Sequence, residues 1–247
     1  MPFLTAEWRD LAILNWEVSP ELLAPLIPRG TEADTWQGRT FLSLVAFRFL
    51  RTRVLKLPVP GHVNFEEVNL RFYVRRPQGE GVRRRQGEEV RRGVVFVKEF
   101  VPRACIALVA RRWYNENYHA VPMSHQIDRR PDHLAVRYAW ATRPTTHALA
   151  VRSDGAFRPI AENSQEEFIT EHYWGYCRQR DGTTMEYQVE HPRWHVARVD
   201  DFSLDWDPIE LYGPEFGRVL LAPPASVFLA DGSQVAVQMG RKLSLPT

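Results

Sequence analysis

Between Asn64 and Arg103 the chain first alternates and then abandons alternation, and both halves of that pattern belong to β-structure. Glu67, Asn69, Arg71 and Tyr73 alternate with Val68, Leu70, Phe72 and Val74. Successive strand side chains point to opposite faces, so a strand here has one apolar face and one face of hydrogen-bonding groups. The next segment, Val94 to Val101, is apolar on both faces except at Lys98 and Glu99. At least one of those charges must then sit where water is scarce and ionisation is costly.

The rest of the chain is punctuated in a compatible way. Leu11 to Val18 reads as a strand, followed by Ser19-Pro20, a helix N-cap with proline at the first helical position. The helix through Leu22, Leu23 and Leu26 should stop near Pro28-Arg29-Gly30. Thr40 to Leu50 reads as the next strand, and Pro58 to Gly61 breaks the chain before the polar-faced one. Ala104 to Asn117 has helical spacing, with Ile106, Val109, Ala110 and Trp113 on one face, and is expected to be the one long helix. Further strands fit Leu134 to Ala141, Phe168 to Tyr176, Thr184 to Val189 and Trp194 to Val199. Ser226 to Ala230 and Gln234 to Met239 flank Asp231-Gly232, the signature of a β-hairpin. No repeat or linker divides the 247 residues. The expectation is a single domain over residues 1–247, mainly β with minor α, its antiparallel sheet curled or closed and two helices packed on it.

Composition narrows the function classes. Lys plus Arg at 32 against Asp plus Glu at 30 gives a net charge of +2, no general reason to expect a nucleic-acid partner. Residues 75 to 92 hold seven arginines with three glutamates and three glycines. Their mixed charge, without an aromatic stacking platform, argues for a solvated hairpin connection. Only Lys56, Lys98 and Lys242 are lysines, so Lys98 stands out. Cys105 and Cys177 are too few for a disulfide framework or a multi-cysteine zinc site and fit the reduced thiols of a cytoplasm. Neither an export signal nor a window of about 18 uninterrupted apolar residues is evident, so a soluble cytoplasmic protein with no membrane partner is expected. There is no Gly-x-Ser-x-Gly elbow, phosphate-binding glycine loop or dinucleotide fingerprint, and no cofactor is indicated. His172, His191 and His195 form no compact ligand motif such as His-Glu-x-x-His, so no metal is expected.

Three residues are candidates for catalysis. Lys98, desolvated among Phe96, Val97 and Phe100, would lose part of its proton affinity and could form an imine. Alternatively its stem lies along apolar surface while its ammonium reaches water or a carboxylate. Glu99 points the other way along an extended strand, so the two cannot enter one cavity unless a bulge intervenes. It is either a catalytic acid or an ion-pair partner of Arg71 or Arg103. His172, in the aromatic segment Phe168 to Tyr176, shares a strand face with Thr170, Trp174 and Tyr176. It is either a general acid or base, or a hydrogen-bonded member of an aromatic layer. The expected ligand-binding set is Glu67, Asn69, Arg71, Tyr73, Glu99 and Arg103. An arginine facing a partly dry cavity would hold a carboxylate bidentately while Tyr73 and Asn69 hydrogen-bond a carbonyl.

The segments Phe3 to Arg9, Asn64 to Arg71, Gly93 to Arg103, Tyr114-Asn115-Glu116 and Glu171 to Tyr176 resemble the YqjF-like bacterial proteins, domain of unknown function 2071, grouped with the acetoacetate decarboxylase-like fold. The resemblance implies a cone-shaped antiparallel β-barrel with a central cavity and a reaction that is unassigned, and the assembly of enzymes on that fold points to a homodimer. Val97-Lys98-Glu99 is similar to the Gly-Arg-Glu strand that precedes the decarboxylase's paired lysines, yet Phe100 to Cys105 follows and contains no lysine. An efficient acetoacetate decarboxylase is therefore not expected. Two classes of function stand. One is a small-molecule-binding barrel, which as an enzyme would act in a lyase- or hydrolase-like way on a carbonyl or carboxylate compound. The other is a noncatalytic sensor or interaction protein whose barrel is filled by its own side chains.

Overall fold

The computed structural model describes residues 1–76, 90–106 and 115–243. Its strands are β1 (Leu4–Val18), β2 (Glu32–Ala33), β3 (Thr40–Val54), β4 (Leu57–Pro58), β5 (Phe65–Arg75), β6 (Arg92–Val101), β7 (Tyr118–Ala120), β8 (Met123–Arg129), β9 (Leu134–Thr142), β10 (Thr145–Ser153), β11 (Arg158–Pro159), β12 (Trp174–Arg178), β13 (Thr184–Glu190), β14 (His195–Asp205), β15 (Ser226–Val237) and β16 (Arg241–Lys242). The protein is mainly β. Strand β13 pairs with both β12 and β15, so the hydrogen-bonded path β15-β1-β3-β5-β6-β12-β13 returns to β15. Long ladders hold β1 to β3 and to β15, whereas β13 meets β15 only at Val189↔Val237 and Glu190↔Ala236. Strand β12 meets β6, in parallel, only at Trp174↔Gly93 and Gly175↔Val94.

One face of this ring packs beneath a second sheet, β14-β10-β9-β8, and the helix Pro208–Leu220. Val68, Leu70, Phe72 and Val74 of β5 join Leu42 and Leu44 of β3, Tyr138 and Trp140 of β9, and Leu211 and Leu220 of the helix in that core. The other face carries a second core, in which Ile13, Val45, Phe47, Phe65 and Phe228 gather. Strands β1, β3 and β5 are thus covered on both sides, which is why their apolar residues run almost without interruption. Burying each of these large side chains contributes about 1.5–3 kcal/mol.

Several elements differ from expectation, each for a local reason. Gly232 does not turn a hairpin: β15 runs straight through it, with Gly232 at φ 74 opposite Arg9. A Cβ there would lie 2.1 Å from the Trp8 carbonyl oxygen, so glycine serves a close approach of two strands. The segment Phe168 to Tyr176 is not one strand but the end of a helix, Gln165–Thr170, and the start of β12. Ser164 caps that helix by accepting from the Glu167 amide at 3.1 Å, and Glu167 accepts from the Asn163 amide at 2.6 Å. Of the helix expected at Ala104 to Asn117, residues 104–106 are helical, 115–117 are not, and the rest lie outside the described residues. The helix Pro208–Leu220 is not among the expected elements, although Asp207 caps it by accepting from the Ile209 and Glu210 amides and Pro208 occupies its first turn. It kinks at Gly213, φ 80, next to Pro214. Strands β8 and β10 are likewise additional to those expected. Residues 77–89 of the arginine-rich connection lie outside the described residues; at its flanks Arg76 and Arg91 pair with Glu186, and Arg75 with Glu32. No helix among the described residues is long and apolar enough to cross a membrane.

Candidate functional site

The second face of the ring opens onto a pocket of about 240 Å³. Strand β5 supplies its polar wall. Glu67, Asn69 and Arg71 line the pocket on one side of the strand while Val68, Leu70 and Phe72 point into the opposite core. These polar residues are deeply buried: Glu67 is 3% exposed, Asn69 1% and Arg71 8%.

Strand β6 adds to this wall through a bulge. Leu70 pairs with Lys98 but Arg71 pairs with Phe96, leaving Val97 as the extra residue. Directly paired residues share a face, so Glu99 opposite Asn69 and Phe96 opposite Arg71 both turn to the pocket side, although they are an odd number apart. Lys98, opposite Leu70, turns away. Its Nζ donates to the Leu211 carbonyl at 2.5 Å and lies 5.4 Å from the Phe100 ring centroid. That carbonyl sits where the Gly213 kink interrupts the helix, so Lys98 supplies a donor to the interrupted ladder. Burial lowers the Lys98 ammonium pKa and the Glu210 carboxylate partly restores it.

Three carboxyls converge beside Asn69. Glu67 accepts from Asn69 Nδ2 at 2.9 Å and from the Tyr118 hydroxyl at 3.2 Å, and Glu116 accepts from the Tyr187 hydroxyl at 2.6 Å. Glu99 is fully buried and neither of its oxygens has a partner within hydrogen-bond geometry among the described residues, although the nearby Tyr118 hydroxyl draws its pKa down slightly. Burial raises Glu67 to about 7, its bonds to Asn69 and Tyr118 and the charge of Arg71 holding it from going higher. Burial, with the neighbouring Glu67 charge, raises Glu116 to about 8 against the pull of Tyr187. Glu99 is raised further, by burial first and then by Glu116 and Glu67. Like charges this close cannot all ionise, so at neutral pH the cluster holds protons. Gly175 makes room for it, since a Cβ there would lie 2.1 Å from the Tyr187 ring. Cys177, buried beside Glu116 and Glu99, is held as a thiol by burial first and by those carboxyls second.

At the other end of the polar wall, His172 lies in the irregular stretch after the helix Gln165–Thr170. Its Nε2 is 3.2 Å from Asp34 Oδ2, which also accepts from Arg92 Nε at 2.7 Å. Burial pushes Asp34 up, but the His172 and Arg92 hydrogen bonds outweigh it and hold the carboxyl at about 2. Burial takes His172 down to about 4 despite Asp34, so the ring is neutral at pH 7. Its ring lies 4.6 Å from Tyr73 and 5.2 Å from Phe168, inside an aromatic layer. Its Nδ1 has no partner.

The structure therefore distributes the expected residues as follows. Glu67, Asn69, Arg71 and His172 line the pocket, and Glu99 is buried behind it. Tyr73 shares their side of β5 but not the lining: its hydroxyl donates to Ser43 Oγ at 2.7 Å beneath the pocket. Arg103 is exposed and outside the lining, because β6 ends at Val101 and Pro102 carries the chain away. Glu99 forms no ion pair with Arg71 or Arg103. Thr170, His172 and Trp174 line the pocket, but not as a strand face, and Tyr176 belongs to the opposite core. Among the lining residues outside the expected set are Glu116, Tyr118, Tyr187 and His191. The alternation Met185, Tyr187, Val189 is a readable signal for Tyr187; Glu116 follows a segment of helical spacing and is marked only by the Tyr114-Asn115-Glu116 segment of the family resemblance. Among the described residues no three His, Cys, Asp or Glu side chains converge as metal ligands.

This architecture is that of the acetoacetate decarboxylase-like enzymes. The chain is similar to acetoacetate decarboxylase from Legionella pneumophila, with a TM-score of 0.64 and 14% identity, covering 99% of this chain and 88% of that one. It is similar to an acetoacetate decarboxylase-like enzyme from Sphingomonas wittichii RW1, with a TM-score of 0.64 and 12% identity over 100% of this chain and 95% of that one. The enduracididine biosynthesis enzyme MppR, complexed with pyruvate, matches with a TM-score of 0.63 and 13% identity over 99% and 91%. At such identities the likeness is one of fold. The chain belongs to the DUF2071 family of uncharacterized conserved proteins, whose family model matches residues 5–234. Uncharacterized protein YqjF of Bacillus subtilis strain 168 is a relative, 24% identical over 202 residues, 78% of this chain and 74% of that protein.

Proposed function

We propose that residues 1–247 form one cone-shaped β-barrel domain whose central cavity is the pocket, and that it binds a small carboxylate or carbonyl compound in the cytoplasm. The observation that carries this is Arg71. Its guanidinium faces the pocket without a salt bridge or hydrogen bond among the described residues, and its buried Nε lacks an acceptor. Native structures seldom leave buried donors unpaired, and Asn69 Oδ1, His172 Nδ1, Thr52 Oγ1 and Trp8 Nε1 are orphaned around the same pocket. A carboxylate on Arg71 would satisfy the first of these with charge-assisted bonds. Asn69 stands next along the wall, its unpartnered Oδ1 able to accept from a hydroxyl of the ligand. The pyruvate complex of the similarly folded MppR is consistent with such a ligand.

If the bound compound is transformed, the chemistry is acid–base. Glu67, at about 7, is matched to moving a proton at neutral pH, and Tyr118 and Asn69 hold its two oxygens in place. An imine route has no amine in the pocket, since Lys98 is engaged with Leu211 on the opposite side of β6. The open volume disfavours the alternative of a sensor filled by its own side chains. Calorimetric titration with a panel of 2-oxo and 3-oxo acids, each beside its neutral amide, tests the reading. Carboxylates should bind preferentially, and Arg71→Gln should weaken them at least about tenfold, the loss of one charge-assisted pair. Wild-type affinity in a folded Arg71→Gln variant would sink the proposal.

A further inference from the structure

The pocket has two chemically distinct ends. Along β5 its lining runs Phe65, Glu67, Asn69, Arg71. At about 3.3 Å of rise per strand residue, the backbone positions of Phe65 and Arg71 are about 20 Å apart. Beyond Arg71, β5 continues to Tyr73, whose ring packs with those of Phe168 and His172 in a buried aromatic layer. The Phe65 end is a rim, where Val59 is 40% exposed and His62 keeps part of its surface.

Beside the carboxyls the wall is aromatic, with Phe47 paired directly across from Glu67 and Phe49 across from Phe65 in the β3–β5 ladder. Phe49 stacks on Phe65 with centroids 4.6 Å apart, Phe47 lies 5.2 Å from Phe49, and Trp8 packs edge-on at 5.4 Å from Phe47 and 5.7 Å from Phe49. An acid of two or three carbons seated on Arg71 would leave the pocket-facing edges of these otherwise buried rings uncovered. At about 30 Å³ per water, the pocket has room for roughly eight waters, far more than such an acid displaces. Contiguous apolar surface of this kind is normally covered by a ligand or partner.

We infer that the ligand is an amphipathic carboxylate, its head on Arg71 and an aromatic or extended apolar tail laid along Phe47, Phe49, Phe65 and Trp8. This rests on the carboxylate reading above and adds the tail.

The test is calorimetric titration of the full chain with butanoate, hexanoate, octanoate and octanamide. Affinity should rise about fourfold per added methylene, the gain from burying each one. Octanamide should bind at least about tenfold more weakly than octanoate, for want of the charge-assisted bonds. In Arg71→Gln the preference for octanoate over octanamide should vanish while the dependence on chain length persists. Equal affinity across the three acids would overturn the tail and leave the carboxylate reading standing. Octanamide binding as tightly as octanoate would overturn the carboxylate reading itself. Both of these comparisons use the wild-type chain, so neither depends on how well the variant folds.

Discussion

Replacing Glu67 with glutamine should make this protein more stable above neutrality and leave it nearly unchanged in mild acid. Below the ordinary carboxyl pKa of 4.5, Glu67 is protonated in both the folded and the unfolded chain, so its burial carries no ionisation penalty. As the pH climbs past 4.5 the unfolded chain releases the proton while the fold retains it to about 7. The folded state then binds more protons than the unfolded one, and stability falls as pH rises across that window, levelling off above it. At about 1.4 kcal/mol per pH unit, the interval from 4.5 to about 7 is worth about 3 kcal/mol. Glutamine removes the titration without emptying the site. Its oxygen can accept from Asn69 as Glu67 does at 2.9 Å, and its amide can donate to the Tyr118 oxygen now 3.2 Å away. It also removes a charge that raises Glu99 and Glu116, so their penalties shrink too. Urea denaturation of both proteins at intervals from about pH 5 to about pH 8 should show the curves diverging, with the variant ahead by about 2–3 kcal/mol at the alkaline end. Curves that stay parallel, or a variant weaker than wild type at about pH 8, would refute the reasoning.

Two further outcomes follow from the same geometry. Lys98→Met should cost about 1–3 kcal/mol, because the Leu211 carbonyl loses its donor; borohydride trapping of the wild-type protein with 3-oxo acids should give no adduct, and a stoichiometric one mapped to Lys98 would show the amine reaching the pocket after all. His172 should keep constant ring resonances from about pH 8 down to about pH 5, its favourable neutral burial being present above 6.5 and lost as the pH falls through about 4; an NMR midpoint near 6.5 would mean that the ring is wet.

The polar wall was legible in the sequence because period two is unambiguous where polar and apolar residues alternate strictly, as they do from Glu67 to Val74. It was harder to read at β6, where the extra residue Val97 puts Phe96 and Glu99 on one side. A bulge is a property of pairing with β5 and leaves no mark in a run of valines and phenylalanines. The aromatic segment around His172 misled for a different reason: Phe, Ile, Thr, Tyr and Trp favour strands, but Ser164 and Glu167 start a helix just upstream and tertiary packing decides the rest. Asp231-Gly232 carries a turn signal, yet Gly232 is required by the carbonyl of Trp8, a neighbour more than two hundred positions away in the chain. Glu116 and Tyr118 join the site only because β7 pairs with β6 at Glu99↔Tyr118. No local pattern encodes that meeting.

The unequal stitching of the ring has a consequence for traffic through it. Strand β1 is zipped along nearly its whole length on both edges, whereas the hairpin of β12 and β13 is tacked to β6 at Trp174 and Gly175 and to β15 at Val189 and Glu190. Tyr187, which holds the Glu116 proton acceptor in place, rides on that hairpin. The chamber therefore has five firmly laddered staves, β15, β1, β3, β5 and β6, and a more lightly tied hairpin whose Tyr187 touches Glu116. A guest too bulky for the gap would be accommodated by springing that hairpin outward, which would uncouple Tyr187 from Glu116 and remove the hydrogen bond that draws the Glu116 pKa down, so that swelling of the chamber tightens the hold of Glu116 on its proton.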